Sequence, residues 1–292
     1  MKRLLVTGAS GFLGWNICRE AKKNWEMHGT VFTNPKEVPG VNIVQIDLTD
    51  FKIFKKVFNE IDPDAVIHTA AATNPNYCQE YPAESRKINI DAAVNLAGLC
   101  ADRKIPFVFT STDLVFDGLN APYREEDPVC PVNIYGEQKV MAEEGILKRY
   151  PSAAVCRMPL MFGEPATVAV GFFQTMIKAI KEGDELNLFV DEFRTPVSGL
   201  TAARGLLLAV EKAKGLLHLG GKERISRFNF GVLMMDVLNV SEARLVRCSQ
   251  KEMKMPAPRA PDLSMDSAKA YKLGYNPLTL REQLEKCLKE WI

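Results

Sequence analysis

A glycine-rich turn directly after the first hydrophobic run constrains the fold of this chain more than any other feature. The run RLLVTG leads into TGASGFLG, which places Gly8, Gly11 and Gly14 three residues apart at the start of an apolar helical stretch. Glycines here let the backbone turn tightly and approach a pyrophosphate, whose charge is stabilised by free N–H groups at the helix N-terminus. Such triplets also occur in close-packed turns, but a strand before them and a helix after them is the context of a dinucleotide site.

Hydrophobic runs and helical patterns alternate through the N-terminal half of the chain. Continuous apolar runs are typical of parallel strands covered on both faces, and their alternation with helices is typical of crossover connections. We therefore predict an α/β fold, a Rossmann-type doubly wound parallel sheet, with Asp50 and Asn133 as helix N-caps. The predicted strands are RLLVTG, GTVFT, VNIVQID, AVIHTA, PFVFTST and SAAVCRM, and the predicted helices lie near residues 12–24, 50–60, 81–103 and 134–149.

The alternation loosens after Pro159, which indicates a second, smaller unit. We predict an NADP-binding Rossmann domain over residues 1–165, to which segments within about 195–220 return, and a lobe over residues 166–292 that mainly binds substrate. No low-complexity linker separates the two parts, so we expect a shared interface with a cleft between them.

Composition argues against several classes of function. The 292 residues include 37 basic and 36 acidic side chains, a formal net charge of +1, which disfavours nucleic-acid and membrane partners. No run resembles a signal-peptide core or approaches the roughly 18 apolar residues that span a bilayer, so we predict a cytoplasmic protein. The seven cysteines and three histidines are dispersed, so we predict no metal site and no Ser-His-Asp triad.

The end of the second predicted strand bears on the choice of cofactor. NAD sites usually carry an Asp or Glu there, about 20 residues beyond the glycines, to bind the ribose 2′-hydroxyl. The stretch TVFTNPK has no carboxylate but offers Thr33, Asn34 and Lys36 to a 2′-phosphate, although an ordinary polar turn uses the same residue types. NADPH is therefore favoured, with NAD as the alternative. Asp47, at the end of the third strand, faces the adenine or caps the next helix.

The stretch NIYGEQK places Tyr135 and Lys139 four residues apart on one face of a predicted helix. A free tyrosine has a pKa of about 10, and a neighbouring ammonium lowers it by stabilising the phenolate. The fifth strand ends nearby with the hydroxyls of Ser111 and Thr112, of which only one should face the cleft because strand residues alternate. A phenol, an ammonium and a hydroxyl together suit acid-base catalysis at a carbonyl, whereas an isolated pair would be a solvated helix face.

These motifs together resemble the extended short-chain dehydrogenase/reductase family. The resemblance is carried by TGASGFLG, HTAAAT at 68–73, INIDAAVNLA and YGEQK. It implies that Tyr135 is the proton donor, that Lys139 contacts the ribose, and that Thr112 holds the carbonyl oxygen. The implied cofactor contacts are Gly8, Ser10, Gly11, Phe12, Leu13, Gly14, Thr33, Asn34, Asp47, Leu48, Ala70, Ala71, Ala72, Asn89, Tyr135 and Lys139, and the implied substrate contacts are Thr73, Ser111, Asp113 and Arg194.

Within that family, TSTDLVFDG and RAPDLSMDSAKAYKLGYNP look most like the dTDP-4-dehydrorhamnose reductase group. This likeness implies NADPH-dependent reduction of a 4-keto sugar nucleotide, dTDP-4-dehydrorhamnose to dTDP-rhamnose, with a homodimer as the candidate assembly. Leu114 is a departure, because that group usually has tyrosine there. The chain is also similar to the non-catalytic regulatory beta subunit of methionine adenosyltransferase, and a sugar-nucleotide epimerase would use the same catalytic groups.

Three further side chains have competing interpretations. Asn89 is either the family's structural and proton-relay residue or a side chain bonded to local backbone. His68 is expected to pack beneath the cofactor, with an acid-base role as the alternative. Arg194 suits the diphosphate of a sugar nucleotide but equally a surface ion pair with Asp191 or Glu192.

Overall fold

The computed structural model describes residues 1–33, 37–164, 171–241 and 243–289. Its main feature is a seven-stranded sheet, and three further pairs of strands lie outside it. The strands in chain order are β1 Arg3–Thr7, β2 Glu26–Val31, β3 Val41–Gln45, β4 Ala65–His68, β5 Phe107–Thr112, β6 Ala154–Met158, β7 Met161–Phe162, β8 Glu185–Phe189, β9 Phe193–Arg194, β10 Val197–Ser198, β11 Gly215–His218, β12 Ile225–Ser226 and β13 Arg244–Cys248.

Helices connect these strands and cover the sheet. A π-helical turn, Lys87–Asp91, runs directly into the fifth helix, and short 3₁₀ turns occupy Asp113–Val115 and Gln250–Glu252. The α-helices are α1 Phe12–Ala21, α2 Phe51–Ile61, α3 Pro75–Glu80, α4 Pro82–Arg86, α5 Ala92–Arg103, α6 Ile134–Arg149, α7 Phe172–Glu182, α8 Gly199–Lys212, α9 Arg227–Leu238, α10 Ala268–Leu273 and α11 Leu280–Leu288.

The seven-stranded sheet has the order β11-β6-β5-β4-β1-β2-β3, and every pair in it is parallel. Side chains of β1 alternate between its two faces: Leu4 and Val6 pack with helices α1 and α8, and Leu5 packs with α2, α5 and α6. The predicted Rossmann-type α/β fold is confirmed. The strand order reverses between β1 and β4, and ligands of such folds bind in the crevice outside the carboxyl ends of these strands.

Local sequence signals fix several helix boundaries. Asp50 accepts a hydrogen bond from the backbone N–H of Ile53 and Asn133 accepts one from that of Gly136, so both predicted N-caps are confirmed. The helix predicted near 81–103 differs in detail. It starts at Pro82, whose missing N–H suits a first helical position, and it contains the unpredicted π-helical turn.

A third hydrophobic cluster lies in the C-terminal part of the chain, where Phe173, Phe230 and Leu284 bring together α7, α9 and α11. In the same part, β8 pairs with β13, while β11 joins the main sheet beside β6. The predicted domain boundaries stay a prediction. No helix among the described residues is both long and apolar enough to cross a membrane.

Candidate active site

The glycine turn lies at the switch point of the sheet, between β1 and α1. Gly8 has a φ of +69°, a conformation that favours glycine, and Gly11 is the N-cap of α1 without a side-chain cap. A Cβ on Gly14 would lie 2.2 Å from the carbonyl oxygen of Gly8, so the helix packs directly on the turn. An uncapped helix start beside a tight glycine turn fits the pyrophosphate of a dinucleotide.

The loop after β4 faces this turn and is held by buried polar groups. The hydroxyl oxygen of Thr7 accepts from the backbone N–H of Ala70 at 3.3 Å and bonds Nδ1 of His68 at 2.7 Å. His68 is buried, and burial lowers its pKa to about 3. His68 therefore stays neutral and supports the loop, as expected for a packing residue. Ala71 is half-buried and Thr73 is exposed on the same loop.

Asn89 ties this loop to helix α6. Its Oδ1 accepts from the backbone N–H of Ala72 at 2.8 Å, and its Nδ2 donates to the carbonyl oxygen of Ala72 at 3.2 Å and to Oε1 of Gln138 at 2.8 Å. The backbone partner is distant in sequence, so Asn89 does not bond local backbone. It lies in the π-helical turn, a feature that is frequent at functional sites.

The hydroxyls at the end of β5 point to different partners. Thr112 donates to Oδ1 of Asp113 at 3.2 Å and accepts from the backbone N–H of Leu114. Ser111 instead donates to the buried carboxylate of Glu143. Strand alternation thus separates the two hydroxyls. Ser111 was predicted to contact the substrate. Its hydroxyl instead bonds Glu143, away from Asp113 and Leu114, which bond Thr112.

Tyr135 and Lys139 are both buried, with 7% and 2% of their surfaces exposed. The ammonium of Lys139 donates to the carbonyl oxygen of Thr110 at 2.9 Å and lies 4.5 Å from the ring centroid of Phe109 and 5.8 Å from that of Tyr135. A Cβ on Gly136 would lie 2.3 Å from the carbonyl oxygen of Leu114, so the first turn of α6 packs closely on the 3₁₀ turn that follows β5.

The pKa values at this pair differ from the expectation. Burial lowers the pKa of Lys139 to about 8, opposed by the charge of Glu143. Burial also raises the pKa of Tyr135, and neighbouring Cys78 and Asp113 raise it further. The predicted lowering by Lys139 is therefore wrong for this arrangement, because its ammonium bonds a backbone carbonyl and not the phenol. Tyr135 is neutral and can donate a proton.

Charged side chains from the C-terminal part face Asp113. Nε of Arg194 lies 3.4 Å from Oδ2 of Asp113, and burial raises the pKa of this carboxyl to about 6. Arg194 is only 6% exposed and lies 3.6 Å from Glu192, which also pairs with Arg227 at 2.9 Å and Arg259 at 3.3 Å. The interpretation of Arg194 as part of a surface ion pair is therefore wrong, since Arg194, Glu192 and Asp113 are buried.

The described residues that are predicted to contact the adenosine half of the cofactor are more exposed than Tyr135 and Lys139. Thr33 and Asp47 are exposed, Leu48 is half-buried, and Asn34 and Lys36 lie outside the described residues. Asp47 accepts from the backbone N–H and the hydroxyl of Thr49, and Asp50 caps α2, so Asp47 does not cap that helix. On the glycine turn, Ser10 and Phe12 are half-buried and Leu13 is buried.

The family model described as the RmlD substrate binding domain matches residues 1–292. The chain belongs to the RmlD substrate-binding domain family. This RmlD-family chain is 31% identical over 288 residues to the probable low-salt glycan biosynthesis reductase Agl14 of Haloferax volcanii, with 96% of this chain and 95% of that protein covered. It is also 28% identical over 286 residues to methionine adenosyltransferase 2 subunit beta of Pongo abelii, with 95% and 84% covered.

A dTDP-4-dehydrorhamnose reductase from Clostridium acetobutylicum has the same fold as this RmlD-family chain. The TM-score is 0.85 at 28% sequence identity, and the match covers 99% of each chain. The resemblance drawn from the motifs is confirmed, and at family level it supports an oxidoreductase.

Several residues of the site were not predicted. Gln138 lies between Tyr135 and Lys139 in α6 and bonds Asn89, and the thiol of Cys78 lies 3.7 Å from Nδ2 of the same asparagine. The only sequence signal for Gln138 was its position inside the YGEQK motif. Nothing in the local sequence marked Cys78, which is distant in sequence from α6.

Proposed function

We propose that this chain catalyses NADPH-dependent reduction of a 4-keto sugar nucleotide, with dTDP-4-dehydrorhamnose as the substrate to test first. When bound, NADPH supplies a hydride to the carbonyl carbon. The proton for the carbonyl oxygen comes from Tyr135, and the hydroxyl of Thr112 holds that oxygen. The observation that carries the proposal is a buried, neutral phenol beside a buried ammonium, Lys139, at the carboxyl end of a sheet with a dinucleotide turn.

The charged cluster suits the nucleotide part of such a substrate. In the described part of the chain, the guanidinium groups of Arg194, Arg227 and Arg259 surround the carboxylates of Glu192 and Asp113. These three positive and two negative side chains leave an excess of one positive charge. A diphosphate would be attracted to this excess, since arginine forks match phosphate oxygens.

NADPH oxidation by purified protein, with dTDP-4-dehydrorhamnose and a panel of other keto sugar nucleotides, tests the proposal directly. Net consumption of NADPH together with formation of the reduced sugar supports it. Interconversion of sugar epimers without net consumption would identify an epimerase instead. The proposed compartment is the cytoplasm and the proposed assembly is a homodimer, which light scattering of the purified chain would test.

A regulatory role is the second candidate, favoured by the 28% identity to methionine adenosyltransferase 2 subunit beta. A regulatory subunit would bind NADPH without turning over any sugar of the panel. It would also be retained by a methionine adenosyltransferase catalytic subunit in a pull-down. The two results together would replace the reductase proposal.

NADPH should bind more tightly than NADH. TVFTNPK lacks a carboxylate that would repel a 2′-phosphate and includes Lys36. A charge-assisted contact contributes about 1.5–3 kcal/mol, so we expect a preference of roughly tenfold to a hundredfold. Dissociation constants from fluorescence titration measure it, and equal values for the two cofactors would contradict it.

Reductase activity should fall as the pH rises through about 8, the value to which burial lowers the pKa of Lys139. Lysine is charged below its pKa, so the ammonium proposed to hold the cofactor ribose beside Tyr135 is present at lower pH and is lost above this value. The measurement is kcat/KM as a function of pH, because it reports groups of the free enzyme. A profile that stays flat up to the ordinary pKa of lysine, about 10.4, would show that this charge is not needed.

A further inference from the structure

Helix α6 carries a second charged residue one turn beyond Lys139. Glu143 is buried, and its carboxylate accepts hydrogen bonds from Nε of Arg157 at 3.1 Å, from Nη2 of Arg157 at 2.8 Å and from the hydroxyl of Ser111. Arg157 lies on β6 and Ser111 on β5. The carboxylate is therefore fixed from two neighbouring strands beneath the candidate site.

The other side of Arg157 is held by neutral groups. Its Nη1 lies 3.4 Å from Nε2 of His218, whose Nδ1 lies 3.2 Å from the carbonyl oxygen of Tyr123. A carbonyl oxygen only accepts, so Nδ1 carries the proton and Nε2 accepts from Arg157. Burial lowers the pKa of His218 to about 3, so the ring stays neutral. Arg157 thus supplies the cation of this network and Glu143 supplies its anion.

We propose that Glu143 is a positioning residue: held by Arg157 and Ser111, its carboxylate keeps Lys139 in the ammonium form beside Tyr135. This rests on the proposed reductase function. A lysine that is 2% exposed loses hydration, which disfavours its charge, and a carboxylate one turn away opposes that loss. The titratable and charged groups around Lys139 are Tyr135 and Glu143 on α6, Cys78 on α3 and His68 on β4, with Arg157 on β6 behind Glu143.

This inference gives Ser111 a new role. Its hydroxyl donates to the carboxylate of Glu143 and would orient that carboxylate, not the substrate. Thr112, the next residue, is then the hydroxyl proposed to hold the substrate carbonyl oxygen. In this proposal both faces of β5 support the reaction at its end. Thr112 acts on one face, and Ser111 acts on the other by holding Glu143 of α6.

Charge removal at Glu143 tests the proposal. Glu143→Gln alone leaves Arg157 unpaired in the interior, which can disrupt folding. The decisive variant is therefore Glu143→Gln with Arg157→Met, because replacing both members of a buried pair by neutral groups often preserves stability. The control is Glu144→Gln, which removes the same charge from the exposed neighbour on the helix.

In the double variant, the alkaline fall of kcat/KM should move to lower pH by about one unit, a tenfold loss of the ammonium form at a given pH. The Glu144→Gln control should keep the profile of the unmodified protein. A purely structural ion pair predicts a different result, namely that the stable double variant also keeps that profile. That outcome would overturn the proposal.

A second measurement separates this inference from the proposed function. Carbon-13-labelled lysine Cε signals, with that of Lys139 assigned by its loss in Lys139→Met, report the titration of Lys139 without any substrate. A downward shift of the Lys139 titration by about one unit in the double variant supports the role of Glu143, even if no sugar nucleotide is turned over. An unchanged titration would overturn it, even in an active reductase.

Discussion

Tyr135→Phe should lower reductase turnover by roughly 10²- to 10⁴-fold, the usual contribution of a general acid, while NADPH affinity stays nearly unchanged. Within the described residues the Tyr135 hydroxyl makes no hydrogen bond to the protein, so its removal breaks no internal bond. The variant should therefore fold normally. What it loses is a proton donor whose raised pKa keeps it protonated over the working pH range.

The matched control is Tyr150→Phe at the C-terminal end of the same helix. The Tyr150 hydroxyl donates to the carbonyl oxygen of Ile105 at 3.0 Å, away from the site. Its removal should cost about 0.5–1.5 kcal/mol of stability and leave turnover intact. Separate measurements of turnover, of NADPH binding and of thermal unfolding compare the two variants. If Tyr135→Phe reduces the sugar as fast as the unmodified protein, another group is the proton donor.

Most of the sheet was predictable because strands such as β1, β4 and β5 are largely apolar runs, whereas β2 begins at Glu26, three residues before the predicted GTVFT, and contains polar side chains. RLLVTG, AVIHTA and PFVFTST correspond to β1, β4 and β5. The helix starts at Asp50 and Asn133 were predictable for a local reason, since an N-cap is a contact across three residues. The π-helical turn was not, because it depends on Asn89 bonding the distant loop at Ala72.

The candidate site shows the same division between local and distant causes. Spacing along one helix placed Tyr135 and Lys139 together, and strand alternation indicated that only one of Ser111 and Thr112 could face the cleft. The choice between the two hydroxyls, and the direction of the Tyr135 pKa, depend on partners from other elements. No spacing rule predicts contacts between residues so far apart in sequence.

Gly14→Ala should destabilise the protein by roughly 1–3 kcal/mol, the usual cost of overpacking, even though alanine favours a helix more than glycine does. The new Cβ would lie 2.2 Å from the carbonyl oxygen of Gly8 and 2.9 Å from Cα of Ala9. Both atoms belong to the backbone of the turn, so the clash can be relieved only by moving the turn away from α1. The same movement would displace the N–H groups that are proposed to bind the pyrophosphate, and NADPH affinity should fall by about a hundredfold, equivalent to ~2.7 kcal/mol.

Gly11→Ala separates the two effects. Its Cβ would meet only the carbonyl oxygen of Gly8, at 3.2 Å, and its φ of −74° suits alanine, so the melting temperature without cofactor should stay close to that of the unmodified protein. Because Gly11 lies where the backbone is proposed to approach the pyrophosphate, NADPH should still bind at least about tenfold more weakly. Thermal unfolding without cofactor and a fluorescence titration with NADPH provide both numbers for each variant. Full NADPH affinity in Gly11→Ala would place the pyrophosphate away from the turn, and an unchanged melting temperature in Gly14→Ala would contradict the close packing of α1 on Gly8.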